Sequence, residues 1–251
     1  MTQSVRLYRW GPIRYACGMD TRLGNLLEQA GLACNSTEAP AAETAPGAEE
    51  ESHGLTAYTP FISVRACGRL WRLQRAADLE TLYDPQNFED ERLPYWTELW
   101  PSSIALCRWL EERRAEIAGR PCLDLGCGLG LTAMVGQWLG AQVIGMDYEE
   151  EALHFASLNA RHNGVSSPLW TVMDWRQPAV RPRSIFRLWG GDIMYEKRFV
   201  APVMHFLSHV LADDGAAWVA EPGRGVYEAF LQALHGGGLE GRRVFTERVE
   251  P

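Results

Sequence analysis

In the second half of the chain, short apolar runs typical of strands alternate with longer segments in which apolar residues recur at helical spacing. Residues 123–125 form a short apolar strand that carries one acid and runs into a glycine-rich segment, residues 126–130. The apolar residues that follow recur at helical spacing, at Leu131, Met134, Val135, Trp138 and Leu139. This pattern predicts a strand, a tight turn and a helix, the unit that opens a doubly wound α/β sheet.

The same alternation continues to the C-terminus and predicts five further strands. They cover residues 141–147, 168–174, 184–191, 216–220 and 242–249. Helices are predicted to begin at Pro101, a residue that suits the first turn of a helix, and to cover residues 198–211. The expected fold class is therefore α/β, a Rossmann-like, mostly parallel sheet with helices on both faces.

The first hundred residues have a different character and divide into three regions. Residues 1–35 are weakly patterned and are interpreted as an N-terminal extension with a short helix near its end. Residues 36–54 are rich in Ala, Glu, Pro, Ser and Thr, which predicts a disordered acidic linker. Residues 55–100 are expected to form an N-terminal hairpin and an aromatic lid, and residues 101–251 the main domain.

Two local patterns support that division. Residues 61–65 and 70–73 flank a short segment with Cys67 and Gly68, which predicts a hairpin. A short helix is predicted over residues 76–83, and another over 23–30 in the N-terminal extension.

The spacing of the glycines separates two classes of ligand. A dinucleotide fold carries G-x-G-x-x-G/A, and the third position of that pattern falls here on Leu131. The chain instead has Asp124, Gly126, Gly128 and Gly130 at alternate positions. An acid at Asp124 would repel a pyrophosphate, but it suits a ligand with a cationic ammonium group, such as S-adenosylmethionine (SAM). An ordinary glycine-rich turn is the alternative interpretation.

Acids also end the next two predicted strands. Asp147 lies about 20 residues after the glycine turn, the spacing of a residue that binds a ribose hydroxyl. Asp174 ends the third strand. Each acid alone could be a helix cap. Acids at three successive strand ends, however, fall where open α/β sheets bind ligands.

Two further segments carry candidate chemistry. Trp96, Glu98 and Trp100 precede the first helix of the main domain, either as a hydrophobic lid of the core or as a lid over a ligand. The fourth strand ends in the motif Asp192-Ile-Met-Tyr195. Asp192 could also be a cap of the helix that follows.

The glycine motif resembles the first motif of the class I, seven-strand SAM-dependent methyltransferases. With the Trp-x-Glu-Leu-Trp-Pro segment and the Asp-x-x-Tyr motif, residues 58–250 resemble the methyltransferase-like protein-lysine methyltransferases. The branch they resemble most includes the electron-transfer-flavoprotein β-subunit lysine methyltransferase. The resemblance implies SAM as cofactor and the transfer of a methyl group to a lysine amine.

The resemblance also implies a role for each candidate residue. Asp192 and Tyr195 would line the amine channel as the catalytic pair, and Trp96 and Glu98 would face the substrate. Asp147 would bind the ribose, Asp174 and Trp175 would flank the adenine, and Trp100 would pack near the cofactor. The loop around the methionine part of SAM would comprise Asp124, Gly126, Cys127, Gly128 and Gly130. The Glu221–Arg224 turn could border the substrate entrance, although an ordinary turn is the preferred interpretation.

The fold that this resemblance implies closes with an antiparallel pair, its sixth and seventh strands. Residues 242–249 can supply the sixth, but only Glu250 and Pro251 follow them. We expect an incomplete pair, unless the N-terminal segment, a partner chain or a reassigned strand fills the gap. A truncated and poorly active product is the remaining alternative.

Composition and net charge limit the kinds of molecule that this protein is expected to bind. The 251 residues are 46% hydrophobic and carry a formal net charge of −8, which argues against non-specific nucleic-acid binding. No apolar run is long enough to cross a membrane, and the six cysteines show no metal or disulfide spacing. We therefore expect a cytoplasmic protein without a metal, and we make no prediction of its oligomeric state.

Three functions remain open from the sequence. The first is a methyltransferase acting on a protein lysine. The second is an N-methyltransferase acting on a small amine, and the third is a SAM-binding regulatory module without catalysis. The glycine spacing argues against a NAD-linked oxidoreductase.

Overall fold

A computed structural model describes residues 3–12, 61–76, 94–236 and 239–249. The acidic linker predicted over 36–54 and the helix predicted over 23–30 lie outside the described residues. The helix predicted over 76–83 also lies outside them, apart from its first residue.

Strands β1 to β9 belong to two sheets. Their bounds are β1 Gln3–Pro12, β2 Phe61–Ala66, β3 Arg69–Gln74, β4 Pro121–Leu125, β5 Gln142–Asp147, β6 Leu169–Val172, β7 Ile185–Gly191, β8 Leu211–Glu221 and β9 Leu239–Val249. The larger sheet has seven strands in the order β6-β5-β4-β7-β8-β1-β9, and β2 and β3 form a separate hairpin. Strands β4 to β8 pair in parallel, which confirms the predicted α/β sheet.

The helices cover both faces of the larger sheet. Their bounds are α1 Pro101–Glu112, α2 Arg114–Ile117, α3 Leu131–Trp138, α4 Glu150–His162, α5 Val200–Val210 and α6 Val226–Gly236. Buried side chains of α1, α3 and α4 pack in one core cluster, and those of α5 and α6 in another. Successive residues of the strands alternate between the two clusters, as expected of a doubly wound sheet.

The N-terminal strand β1 occupies the gap that the sequence left open. It pairs antiparallel with β8 on one side and with β9 on the other, from Gln3 opposite Val249 to Pro12 opposite Leu239. Of the alternatives from the sequence, the N-terminal segment is thus the one that completes the sheet. Residues 3–12, which the sequence analysis assigned to an N-terminal extension, form this strand of the larger sheet.

The hairpin of β2 and β3 is the predicted one, and two asparagines, Asn159 of α4 and Asn163 at the C-cap of that helix, fix it to the main domain. Asn163 accepts a hydrogen bond from the Arg72 backbone N–H (3.0 Å) and donates to the Arg72 carbonyl (2.7 Å). Asn159 bonds the backbone N–H and carbonyl of Gln74 in the same way, at 2.6 and 3.1 Å. Because the two asparagines are four residues apart, they lie on one face of α4 and satisfy the edge of β3.

Two further findings bear on the predictions. No helix in the described ranges is long and apolar enough to cross a membrane. Those ranges also contain no cluster of His, Cys, Asp and Glu side chains that could hold a metal ion.

Replacing Trp10 tests the position of β1. The Trp10 side chain is fully buried, its ring packs on Phe230, and its indole N–H donates to the Tyr227 hydroxyl at 3.0 Å. We expect Trp10→Ala to lower the free energy of unfolding by about 3–5 kcal/mol, measured by urea unfolding. Ser4→Ala, an exposed change on the same strand, is the control and should have little effect. Equal stability of the two variants would contradict the assignment of β1 to the sheet interior.

Candidate functional site

A cavity of about 860 Å³ lies at the carboxyl ends of the parallel strands. Its wall is formed by the turn after β4, the ends of β5 and β7, the loop after β6, and the segment before α1. Eleven of the predicted site residues line it: Trp96, Glu98, Trp100, Gly126, Cys127, Gly128, Asp147, Asp174, Trp175, Asp192 and Tyr195. Two predicted residues, Asp124 and Gly130, are not among the described residues that line the cavity.

The glycine turn needs its glycines for backbone conformation and for space. Gly126, Gly128 and Gly130 have φ angles of 68°, 49° and 82°, in the left-handed region that favours glycine. A Cβ atom on Gly130 would come within 2.8 Å of the Ala156 Cβ in α4. Gly130 therefore allows α3 to begin close against α4, while Gly126 and Gly128 form the cavity wall.

Asp124 lies beneath the turn instead of facing the cavity. Its carboxylate accepts a hydrogen bond from the Thr132 hydroxyl at 2.5 Å, and the residue is only 1% exposed. Burial raises the pKa of Asp124 to about 7. The sequence predicted that Asp124 forms part of the ligand loop, but in the structure Asp124 does not line the cavity. Its contact in the structure is to the first turn of α3.

Asp147 faces the glycine turn from the end of β5. One carboxylate oxygen accepts the backbone N–H of Gly128 at 2.8 Å, and the other accepts that of Glu149 at 3.2 Å. Burial raises the pKa of Asp147 above its usual range. The carboxylate is thus fixed where two strand ends meet, which is a suitable position for binding a diol.

Asp174 and Trp175 follow β6 on the next side of the cavity. The strand ends at Val172, so Asp174 lies in the turn and not at the strand end that the sequence predicted. Its carboxylate pairs with the guanidinium of Arg176 at 2.7 Å. The Trp175 ring lies edge-on to Phe199, with ring centroids 5.2 Å apart.

Aromatic rings form the mouth of the cavity. The ring of Tyr95 contacts Trp100 and Tyr195 edge-on, with centroid distances of 6.1 and 5.1 Å, and Tyr195 contacts Phe199 at 4.9 Å. Burial raises the pKa of Tyr195 above its usual range, so its hydroxyl is neutral at physiological pH. Trp96 packs deeper, against Phe155. Glu98 is held by Arg75, whose guanidinium contacts both carboxylate oxygens at 2.9 and 2.7 Å.

Asp192 has a partner that the sequence did not indicate. Its two carboxylate oxygens each accept a hydrogen bond from the Arg224 guanidinium at 2.8 Å. Asp192 is 7% exposed and has a φ of 56°, and the bond to Asp192 raises the pKa of Arg224. Glu221 in turn accepts the Arg224 backbone N–H at 2.9 Å. The Glu221–Arg224 turn thus contributes Arg224 to the cavity wall, whereas the sequence favoured an ordinary turn.

The residues present fit SAM. Gly128 lies against the Trp96 backbone, where an added Cβ would be in ordinary van der Waals contact, 3.4 Å from the carbonyl oxygen, and its φ of 49° favours glycine. Asp147 lines the cavity with a carboxylate, a group that can accept hydrogen bonds from the hydroxyls of a ribose, and the rings of the mouth add apolar surface. The Cys127 thiol also lines the cavity, and burial raises its pKa well above the usual range. It is therefore not a nucleophile at neutral pH.

Comparisons with known proteins agree with this fold. A family described as "Ribosomal protein L11 methyltransferase (PrmA)" matches residues 103–184. The ribosomal protein L11 methyltransferase of Alteromonas mediterranea is 36% identical over 90 residues, which are 36% of this chain and 30% of that protein. The electron transfer flavoprotein beta subunit lysine methyltransferase of Danio rerio is 29% identical over 137 residues, 54% of this chain and 52% of that protein.

One solved structure similar to this chain is the 16S rRNA N2 G1207 methyltransferase of T. thermophilus in complex with AdoMet and guanosine. It is 18% identical, with a TM-score of 0.43, and the alignment covers 62% of this chain and 41% of that one. The chain spans 30% of the length of the first of these curated relatives and 52% of the second.

Strand order, glycine turn and matched residues together define the fold of this chain. The chain has the class I SAM-dependent methyltransferase fold. Within that class, its central part is similar to ribosomal protein L11 methyltransferases and to a protein-lysine methyltransferase.

The buried carboxyl of Asp124 gives a prediction for pH. Its pKa of about 7 in the folded state lies above the value of about 3.9 for a free Asp. Between these values the folded state keeps a proton that the unfolded chain loses. The free energy of unfolding therefore falls as the pH rises from 4 to 7, by roughly 4 kcal/mol from this group alone. Asp124→Asn should remove that contribution.

The contribution of Asp124 to the free energy of unfolding is measured by denaturant unfolding of the parent protein and of Asp124→Asn at pH 4.5, 5.5, 6.5 and 7.5. Subtracting the variant from the parent protein removes the contributions of groups that do not interact with Asp124 and leaves that of Asp124 with its repulsion from Asp147. If the difference between the two proteins stays constant over this range, Asp124 is ionised in the folded state.

Proposed function

We propose that this protein is a SAM-dependent methyltransferase that transfers a methyl group to a lysine side-chain amine of a protein. One observation carries the proposal. A single cavity combines the glycine turn and Asp147 at its base with an aromatic mouth that holds Asp192 and Tyr195. The base suits the cofactor, and the mouth suits an extended alkyl chain that ends in an amine.

When bound, SAM supplies a methyl group on a positively charged sulfur, which an amine nitrogen takes by in-line displacement. The protein contributes mainly position, because alignment of the two reactants can supply much of such an acceleration. Tyr95, Tyr195 and Phe199 would enclose the alkyl chain of the lysine and exclude water. An apolar wall does not oppose this reaction. When a neutral amine attacks a cation, the positive charge becomes spread over both reactants in the transition state.

Asp192 is the group that would orient the amine. A carboxylate offers about four lone-pair positions, and Arg224 occupies one on each oxygen. The remaining positions can accept an N–H bond from an incoming amine. The neutral hydroxyl of Tyr195 can accept or donate a second hydrogen bond.

The lysine must lose a proton before it reacts. With a free pKa of about 10.4, holding it neutral at pH 7 costs roughly 4–5 kcal/mol. Partial burial in an aromatic channel lowers the pKa of a lysine and reduces this cost. The guanidinium of Arg224, beside the expected position of the amine, would act in the same direction because it repels an ammonium more than an amine.

The replacement Asp192→Asn tests the role of this carboxylate. Asparagine tolerates the left-handed φ of 56°, so the change removes the charge with little strain. We expect methyl transfer to fall about 100-fold while SAM affinity, measured by calorimetry, stays within twofold. Asp213→Asn, which removes an exposed carboxylate, is the control. Undiminished transfer in Asp192→Asn, or loss of SAM binding, would contradict the assignment.

The substrate class is tested by incubating the protein with methyl-labelled SAM and an extract of host cells that lack the gene. Label in a discrete protein band, lost with Asp192→Asn, supports protein methylation. Label confined to the small-molecule fraction would move the assignment to a small amine. Absence of label with intact SAM binding would favour a regulatory module.

Arg224→Gln tests the ion pair at the mouth. The change leaves the buried carboxylate of Asp192 without its partner, so we expect the protein to lose about 1–3 kcal/mol of stability. We also expect kcat/KM to fall at least tenfold, with SAM affinity unchanged. Arg224→Lys keeps the charge but loses the two-point contact and should be intermediate. Full activity of Arg224→Gln would show that the pair does not position Asp192 for the reaction.

A further inference from the structure

A second cavity, of about 350 Å³, lies toward the opposite edge of the sheet. It is lined by Arg9, Trp109, Arg113, Glu116, Trp218, Arg242, Arg243 and Val244. Helix α1 links the two cavities, because Ser103 near its start lines the first and Arg113 at its C-terminal cap lines the second. Twelve helical residues span about 18 Å. The second cavity is therefore separate from the methyl-transfer site.

Strand pairing places like charges side by side in this cavity. Arg9 of β1 lies directly opposite Arg242 of β9, and opposite Trp218 of β8 on its other side. Directly paired residues of antiparallel strands project from the same face, and like charges in such a pair are destabilising. The sheet thus places the side chains of Arg9 and Arg242 next to each other on one face.

A β-bulge interrupts the pairing of β1 and β9 close to Arg9 and Arg242. The ladder pairs Leu7 with Phe245 and Tyr8 with Arg243, so Val244 is passed over. Bulges often redirect side chains near functional sites. Here the bulge brings both Arg243 and Val244 to the cavity wall.

The helical side of the cavity also presents donors. The Arg113 guanidinium lies 4.3 Å from the centre of the Trp109 ring and 3.7 Å from the Glu116 carboxylate. The buried Arg187 bonds the same carboxylate at 2.9 Å. Glu116, the single acid among the described residues that line the cavity, is thus shared by two arginines. Four of those described lining residues are arginines, in a chain whose net charge is −8.

An indole N–H without an acceptor points to a missing oxygen. Trp109 is 5% exposed, and its Nε1 atom is buried with no hydrogen-bond partner among the described residues. A buried donor without an acceptor costs free energy, so native structures rarely keep one. An oxyanion in this cavity would place further acceptors beside Trp109 and beside the arginines that line it.

We propose that this second cavity binds a phosphate group, either free or as the ester of a small molecule. Guanidinium groups match phosphate oxygens in two-point contacts, and a cluster of arginines beside an indole donor suits a multiply charged oxyanion. The volume is that of a small-ligand site and not of a groove for a polymer. This inference does not rest on the proposed methyl transfer.

Binding of inorganic phosphate tests the proposal. The protein is first saturated with S-adenosylhomocysteine, so that the large cavity is filled, and phosphate is titrated at constant ionic strength by calorimetry and thermal unfolding. We expect phosphate to raise Tm where chloride does not. Arg242→Gln should weaken phosphate binding roughly tenfold or more. Without phosphate, its Tm should equal or exceed that of the parent, because a like-charge pair is removed.

Two further variants keep the test specific. Arg248→Gln removes an exposed arginine from the same strand outside the cavity, and it should bind phosphate as the parent does. Trp109→Phe removes the indole N–H but keeps an aromatic ring, and it should weaken phosphate binding several-fold. Equal phosphate affinity in Arg242→Gln, Arg248→Gln and the parent would overturn the proposal, as would an equal effect of chloride.

Phenyl phosphate distinguishes the two sources of the group. Tighter binding of phenyl phosphate than of inorganic phosphate, lost in Arg242→Gln, would identify an ester whose organic part packs against the tryptophans. Equal affinities lost in the same variant would identify free phosphate. Binding of neither compound, or tighter binding of a single-stranded oligonucleotide than of either, would overturn the assignment to a small phosphate.

Discussion

Two rows of backbone hydrogen bonds depend on the strand Gln3–Pro12. Without it, β8 and β9 would each present an unpaired edge in the middle of the sheet, and unpaired backbone groups in such a place are costly. The strand also contributes to both cores, because Leu7 packs with the α1 side and Trp10 with the α6 side. The N-terminal residues and the C-terminal strand β9 are thus held together, although most of the chain separates them in sequence.

The glycine turn is the second constraint on the site. Gly130 lets α3 begin within contact distance of α4, and the same α4 carries the asparagines that hold the hairpin. Asn159 also donates to the Leu129 carbonyl at 3.0 Å, one residue before Gly130. Packing of α4, the hairpin and the turn are therefore coupled. A change that moved α4 would shift the cavity wall at Gly128 as well.

Much of the sheet could be predicted from the sequence, but β1 could not, for a physical reason. A strand that is covered on one face alternates between apolar and polar residues, whereas β1 is covered on both. Val5, Leu7, Tyr8 and Trp10 are all buried, so their pattern has no simple period of two. Its partners also lie more than 200 residues away, and no local signal reports such a pairing.

The site shows a similar limit. Glycine spacing and acids at strand ends predicted that Gly126, Gly128 and Asp147 line the cavity, because backbone position alone decides which strand ends meet. The direction of individual side chains could not be predicted in this way. Asp124, for example, contacts Thr132 and does not line the cavity. The contact of Arg224 with Asp192 joins two separate loops 32 residues apart, so local patterns could not reveal it.

The strand β1 is also connected to the mouth of the cavity through a chain of charged residues. The guanidinium of Arg6 lies 3.8 Å from the Glu221 carboxylate, Glu221 accepts the backbone N–H of Arg224, and Arg224 holds Asp192. Because Glu221 is almost fully buried, the charges on either side of it limit where its loop can settle. The strand that completes the sheet therefore also helps to fix the loop that orients Asp192. In this chain the order of the sheet and the geometry of the site are parts of one network, and a defect in β1 would reach the mouth even if the glycine turn were intact.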